Sequence, residues 1–459
     1  MASTIQQVNM TEGSVLPKII RFSLPLAATG ILQLLFNAAD VIVVGKFAGA
    51  TALAAVGATS SLINLLVNAF MGISVGVNIL VARYLGCRED ERVRKSVHTA
   101  FALSLLLGLF VMALGLTLSV PILELMDTPD DVLPLSSLYL RIYFIGVPAS
   151  IMYNFGAAVL RAFGETQKPM VFLTVSGVIN AGLNLFFVIV CHMSVDGVAT
   201  ATVISQYVSL VLVVRCLCRS EGLSHLSLRQ IRIHKDEAIR MIQIGFPAGL
   251  QSTVFSFSNI LIQSSINSFG ASVIAANTAA GNIEGFLYTA TNSVYHAAMT
   301  FTSQNLGAGR IDRIRRVFVG CVVTTLMIGL PMCAACYLFG GQLLTIYVSS
   351  SDPSYADVLR YGLVRLHRLG CFQFVCGLME VMCGMVRGLG KTWLPLIVTA
   401  FGACLTRIIW IYTVFQRWRT PEVLYLSYPL SWVLTAATHV VCFLVIYRRY
   451  VKQRAATGV

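Results

Sequence analysis

Apolar stretches of about 20 residues, each long enough to cross a bilayer as a helix, recur along the whole chain. About twelve are recognisable, near residues 17–44, 53–81, 95–119, 134–158, 169–190, 197–217, 239–266, 274–300, 315–339, 357–385, 394–416 and 424–447. In hydrocarbon no water is available to the peptide groups, so the backbone must bond to itself in helices or in a closed barrel. These stretches are too long and too uniformly apolar for barrel strands. With 56% hydrophobic and 12% charged residues, the composition excludes an ordinary soluble domain and a disordered chain. The class expected is an all-α polytopic membrane protein with about twelve crossings. The first stretch is too long for a cleaved leader, carries Asp40 near its far end and lacks a small-residue cleavage pattern, so it reads as the first crossing.

The formal net charge of +13 does not require an anionic partner. With the N-terminus placed in the cytoplasm, 25 of the 33 Lys and Arg residues fall at the N-terminus, in the even-to-odd loops and in the C-terminal tail, and 3 fall outside. That asymmetry is the positive-inside signal, so nucleic acid is excluded as a partner. The twelve cysteines lie almost wholly in apolar segments. The Cys333, Cys336 spacing has no second pair, so they read as small packing residues and no metal site is expected.

The chain also repeats itself. Leu85-Gly86-Cys87-Arg88 followed by Glu91-Arg92-Val93-Arg94-Lys95 returns as Leu306-Gly307-Ala308-Gly309 followed by Asp312-Arg313-Ile314-Arg315-Arg316. Arg161, Gly164, Thr166 and Pro169 return as Arg387, Gly390, Thr392 and Pro395, and Pro25 returns as Pro247. Three matches in one order at nearly one offset imply two homologous halves. Residues 1–218 form an N-lobe of six helices, 219–237 a polar cytoplasmic linker, and 238–459 a C-lobe with a basic tail. An even number of crossings per half makes the repeats parallel, with a substrate path expected between them. Pro25 and Pro247 read either as static kinks or as bends that change during transport. Arg161 and Arg387 read as structural residues of the repeated turn.

An ionised carboxylate in mid-membrane costs about 2.5–3.5 kcal/mol, so buried acids are the first functional candidates. Asp40, Glu284 and Glu380 are the three well inside the apolar stretches. Gln33, Asn37 and Asp40 share one helical face. A partly desolvated carboxylate beside neutral amides is suited to exchange protons. Asn180 and Asn184, four apart, share a face of the fifth segment, and Thr200, Thr202 and Gln206 lie on the sixth. They read as a polar lining opposite Asp40 or as interhelical hydrogen bonds. Arg407 lies near the middle of the eleventh segment, and a buried arginine calls for an anionic partner, with Glu284 or Glu380 available. That pairing reads equally as structure or as an ion-coupling or substrate site. The Asp127, Asp130, Asp131 group near Pro129 is the one candidate for an enzyme site and reads as a solvated turn, so no catalytic residue is assigned.

These elements resemble the multidrug and toxic compound extrusion family of bacterial type, from about Lys18 to Tyr447. The resemblance is carried by Pro25 through Asp40-Val41-Ile42-Val43-Val44-Gly45, by the duplicated Leu-Gly loops including Gln304-Asn305, by the two Arg-x-x-Gly-x-Thr-x-x-Pro turns, and by Met379-Glu380-Val381-Met382. It implies two six-helix lobes around a V-shaped central cavity. It also implies efflux of amphipathic, often cationic, organic compounds by H⁺ or Na⁺ antiport, without a further cofactor. It places Asp40, Asn180 and the position of Asn184 at the N-lobe cation site, to which the face shared with Asp40 adds Asn37. There Asn184 stands where the family has a second acid, so a two-carboxylate relay is excluded. Gln33, Thr202, Gln206, Gln251, Asn259, Glu284, Glu380 and Arg407 are the candidates for the substrate cavity. The expected setting is a monomer in the bacterial inner membrane with both termini cytoplasmic, its partners being the substrate and the lipid bilayer. A flippase for a lipid-linked precursor is the alternative, favoured if Arg365, Arg368 or Arg407 faces the cavity.

Overall fold

The computed structural model describes residues 9–125, 128–348 and 354–457, apart from the side chains of residues 50, 53, 58, 60–62, 64–66, 68, 69 and 457. Asp127, of the acidic group noted above, lies outside the described residues. Every regular element among the described residues is helical. Six rods make the first half: α1 (Val15–Val43, continued by a π turn, Val44–Ala48), α2 (Ala50–Cys87), α3 (Asp90–Leu125), α4 (Leu133–Ala162), α5 (Gln167–Leu185, continued by a π turn, Phe186–Val190) and α6 (Val195–Cys218). The second half begins with α7 (Lys235–Asn267), α8 (Ala271–Gly307) and α9 (Ile311–Thr345). The tenth stretch is interrupted: α10 (Tyr355–Arg368) passes through a 3₁₀ turn (Gly370–Phe372) into α11 (Gln373–Gly388). The eleventh is α12 (Trp393–Thr399), a π turn (Ala400–Leu405), α13 (Thr406–Tyr412) and α14 (Val414–Arg417), and the twelfth is α15 (Pro421–Thr457).

Ten of these rods are long and apolar enough to span a membrane. Two expected spans, α7 and α8, have the length but not the apolarity. On α7, Ser252, Ser256, Asn259 and Asn267 are exposed, with half-buried Gln263 completing the stripe. Lipid cannot satisfy such a stripe, so this face belongs against water or other polar groups.

The duplication extends to backbone conformation. Gly49 and Gly270 have φ of 92° and 93°, and Gly164 and Gly390 have 85° and 86°. At the repeated Leu-Gly loop the left-handed position is Arg88, φ 57°, in one half and Gly309, φ 66°, in the other. The following amide closes back on the helix in each case, Glu89 N–H to Tyr84 O at 3.0 Å and Arg310 N–H to Asn305 O at 2.9 Å. These are helix ends of the kind in which a left-handed residue lets orphan carbonyls be satisfied.

The chain forms two compact units, one containing Ala28–Gly249 and the other Met10–Ala27 with Leu250–Val459. The division expected within the 219–237 linker is therefore displaced. The physical reason lies in packing on either side. Val15, Ile19 and Phe22 of α1 join a buried cluster with Val294, Phe301, Ile314 and Phe443. The first half of α7 instead crosses α2 at backbone contact. A Cβ on Gly72 would sit 2.1 Å from Gly249 N, and one on Gly76 would sit 2.1 Å from Met241 O, so only glycine allows the approach. Each proline-bearing helix, with Pro25 or Pro247 inside it, thus changes units two residues after its proline.

The linker is fastened to the first unit. Ser227 N–H donates to His98 Nε2 at 3.1 Å, His98 Nδ1 meets Arg94 O at 2.8 Å, and His234 N–H donates to Thr99 Oγ1 at 3.2 Å. Because Nε2 accepts, the His98 proton sits on Nδ1. At the head of α7, Glu237 accepts from Tyr84 Oη at 2.9 Å. In the second unit, Arg313 Nη2 donates to the carbonyls of Glu12 and Gly13, both at 3.0 Å, and Asn305 Nδ2 donates to Met10 O at 3.2 Å. The duplicated loop regions therefore hold the chain that leads into α7 and α1 respectively.

Candidate functional site

In the first unit three helices bring polar side chains to one place. Asp40, on the last turn of α1 before the π turn, accepts a hydrogen bond from Asn184 Nδ2 of α5. With its amide nitrogen facing the carboxylate, Asn180 donates to Asp40 Oδ1 at 2.9 Å and reaches Oδ2 at 3.3 Å. The other end of that amide faces Thr202 Oγ1 of α6 at 3.4 Å. Asn180 is 6% exposed and Asn184 is fully buried, with Asn184 Oδ1 lacking a partner. One carboxylate, two amides and a hydroxyl meet in this niche, and the oxygen of one of those amides, Asn184 Oδ1, is left as a spare buried acceptor. The expected association of Asp40 with Asn180 and Asn184 is present, joined by Thr202. Asn37 and Gln33 are exposed and do not belong to the cluster. Gln206 is half-buried and faces Gly146, where a Cβ would lie 2.1 Å from its Oε1.

Arg365, Arg387 and Arg407 of the second unit are buried in separate settings. Arg365 of α10 grips Glu284 of α8 with two parallel bonds, Nε to Oε1 at 3.0 Å and Nη2 to Oε2 at 2.7 Å. Its third nitrogen, Nη1, donates to Asn277, whose own amide donates to Gln263 Oε1 at 3.0 Å. The expected pairing of Glu284 with Arg407 is thus replaced by Glu284 with Arg365. The cause is position: α8 and α10 are direct neighbours, and the bidentate fork fits a carboxylate. Glu284 is therefore neutralised within the bundle.

Arg387, read from sequence as a turn residue, is buried and donates to Tyr295 Oη and Gln251 Oε1, each at 2.5 Å. Gln251 also donates to Thr399 Oγ1 at 3.0 Å, so this cavity candidate is a core linker. Glu380 is half-buried and forms no ion pair within 4.0 Å among the described residues.

Arg407 of α13 has no exposed surface. It donates through Nε to Ser431 Oγ at 3.0 Å and through Nη1 to Asn259 Oδ1 at 3.1 Å. Its guanidinium lies 4.3 Å from the ring centre of Tyr428 and 5.0 Å from that of Phe255. Neither expected glutamate reaches it, because neutral acceptors and π faces take the place of a counter-ion. The spacing of Asp40, Asn180 and Asn184 was a usable sequence signal. Nothing in the spacing of Arg365 and Glu284, 81 residues apart, marks them as partners.

Away from the membrane-spanning helices, burial, then Arg232 and Lys95, hold the His234 imidazole below its ordinary pKa.

Two units of helices long enough to cross a membrane, built on one repeated plan and holding intramembrane polar clusters, define a polytopic membrane transporter. The MatE family model matches the chain twice, over residues 25–186 and 247–413, and the chain belongs to that family of transporters. It is 26% identical over 409 residues to the probable multidrug resistance protein YoeA of Bacillus subtilis, covering 87% of each chain. It is 24% identical over 353 residues to the FAD transporter of Shewanella oneidensis, covering 76% of this chain and 77% of the other. Its fold matches a multidrug resistance MATE family transporter of the MOP superfamily, solved in an outward-facing conformation. The TM-score is 0.89 at 22% identity, over 99% of this chain and all of that one.

Proposed function

We propose that this protein is a secondary active exporter of amphipathic organic compounds, working as a monomer in a bacterial inner membrane with both termini cytoplasmic. Entry of H⁺ or Na⁺ at Asp40 drives the export, and the two lobes expose the substrate path alternately to each side. The observation that carries this reading is the Asp40, Asn180, Asn184, Thr202 niche. A single carboxylate there is neutralised by one proton or one sodium ion, and Asn184 cannot titrate in its place. Coupling requires only that ion and substrate bind the two states with different affinity.

The proposed substrates are amphipathic and include cations, as the relatives named for multidrug resistance suggest. A relative that carries FAD supports a range extending to anionic compounds. The flippase alternative requires a basic site for an anionic headgroup. Of the three arginines that would favour it, Arg365 is neutralised by Glu284 and Arg368 is exposed, which leaves Arg407 as the buried one.

Proteoliposomes with an imposed pH gradient and, separately, an imposed Na⁺ gradient test the proposal. Asp40→Asn is expected to abolish gradient-driven dye efflux while inserting and folding normally. Undiminished driven efflux in that variant would sink the proposal.

A further inference from the structure

Arg407 stands at the place in the second unit where the first unit has its cation niche. Under the offset of 226 that relates Pro169 to Pro395, Arg407 falls opposite Ala181, Tyr428 opposite Thr202 and Ser431 opposite Ser205. Under the offset of 222 that relates Pro25 to Pro247, Asn259 falls opposite Asn37, which lies one turn before Asp40 and outside the cluster itself. The helices correspond as well. The first niche is built by α1, α5 and α6, and the Arg407 cluster by α7, α13 and α15. Three π turns lie beside these clusters: Val44–Ala48 after Asp40, Phe186–Val190 after Asn184, and Ala400–Leu405 before Arg407. Such turns concentrate at functional sites, where they re-aim side chains.

The two clusters differ in sign. Around Arg407 there are donors in excess and, among the described residues, no carboxylate within ion-pair distance. Arg407 Nη2 is buried without a hydrogen-bond partner. Trp432 Nε1, also buried, is a second unpartnered donor, and its ring packs edge-on against Tyr428 at 5.8 Å. The guanidinium thus keeps a buried donor for which the protein supplies no acceptor, and the indole beyond Tyr428 keeps another. Asn259 covers the guanidinium and is itself exposed, so on that side one neutral side chain separates Arg407 from the surface.

We propose that the Arg407 cluster is an anion site, taking a carboxylate, a phosphate monoester or a halide in place of the Asn259 amide oxygen. The anionic group is either part of the transported compound or a free inorganic ion. The inference draws its physiological meaning from the transporter reading, but its test uses no gradient, so either can fail without the other.

The test is a titration of the purified full-length protein, at constant ionic strength, read by tryptophan fluorescence. Trp432→Phe identifies the reporting signal. The probes are hexanoate, hexyl phosphate, chloride and, as the cationic control, hexyltrimethylammonium. Saturable binding of anions alone is expected. Hexanoate or hexyl phosphate binding tighter than chloride assigns the site to a group on the substrate, and chloride binding as tightly assigns it to a free ion.

Arg407→Gln is expected to weaken anion binding by at least about tenfold, the loss of a charge-assisted bond. Asn259 supplies two further variants should Arg407→Gln not fold. Asn259→Ala frees Nη1 and is expected to tighten anion binding several-fold, whereas Asn259→Asp supplies an internal anion and is expected to abolish it. A purely structural arginine would give neither response. No saturable anion signal, a response to the ammonium probe alone, or equal affinity in Asn259→Ala and Asn259→Asp overturns the proposal.

Discussion

The Arg365–Glu284 pair can be tested by taking it apart. Its two side chains are each 10% exposed, which places it among buried pairs rather than the surface pairs that contribute about 0–1 kcal/mol. Arg365→Met leaves Glu284 buried with no cation, and Glu284→Gln leaves Arg365 with a neutral partner. Either single change is expected to cost about 3–5 kcal/mol, because an uncompensated buried charge outweighs the packing lost with the side chain. The double variant removes both charges together with their desolvation penalty. It is expected to be at least about 2 kcal/mol more stable than the sum of the singles implies. A thiol-reactive fluorophore in a thermal ramp suits the measurement once the exposed and half-buried cysteines, Cys87, Cys191, Cys216, Cys218, Cys371 and Cys442, are replaced by serine in every variant, since Cys333, Cys336 and Cys376 are buried near these helices. Additivity within about 0.5 kcal/mol would refute the reasoning, since contacting charges must couple more strongly than that.

Two further outcomes follow from local geometry. Arg88 is an exposed residue at φ 57° where its counterpart is Gly309; Arg88→Gly should stabilise by about 0.5–1 kcal/mol and Gly309→Ala destabilise by a similar amount, read from the same thermal ramp. His234 accepts from Arg232 Nε at 3.2 Å, and its neighbours include Lys95, Glu237 and His98. Because folding lowers its pKa from 6.5, the linker's docking should be strongest above that pH and weaken as pH falls through it, the undocked form binding the extra proton. Hydrogen exchange of residues 222–234, corrected for intrinsic rate, should show less protection at pH 5.5 than at 7.5; equal protection would contradict it.

Periodicity and repetition made much of this molecule legible from sequence. Asp40, Asn180 and Asn184 sit on two regular helical faces, so their meeting was foreseeable. The turns at Gly164 and Gly390 followed from identical spacing. What stayed hidden depends on which helices become neighbours. Glu284 could not be matched to Arg365 rather than Arg407 without the α8–α10 packing. The break at Gly370 carries no proline to announce it. The polar stripe on α7 was hidden too: its residues were legible one by one, but not that they share one exposed face.

The division of α1 and α7 between the two units has a consequence for biogenesis. Met10, Val15, Ile19 and Phe22 are buried in one cluster with residues 294–446, so this segment waits for the second half of the chain before its apolar face is covered. The halves cannot mature as two independent domains in succession, and a chain cut within the linker would leave each fragment short of half a helix.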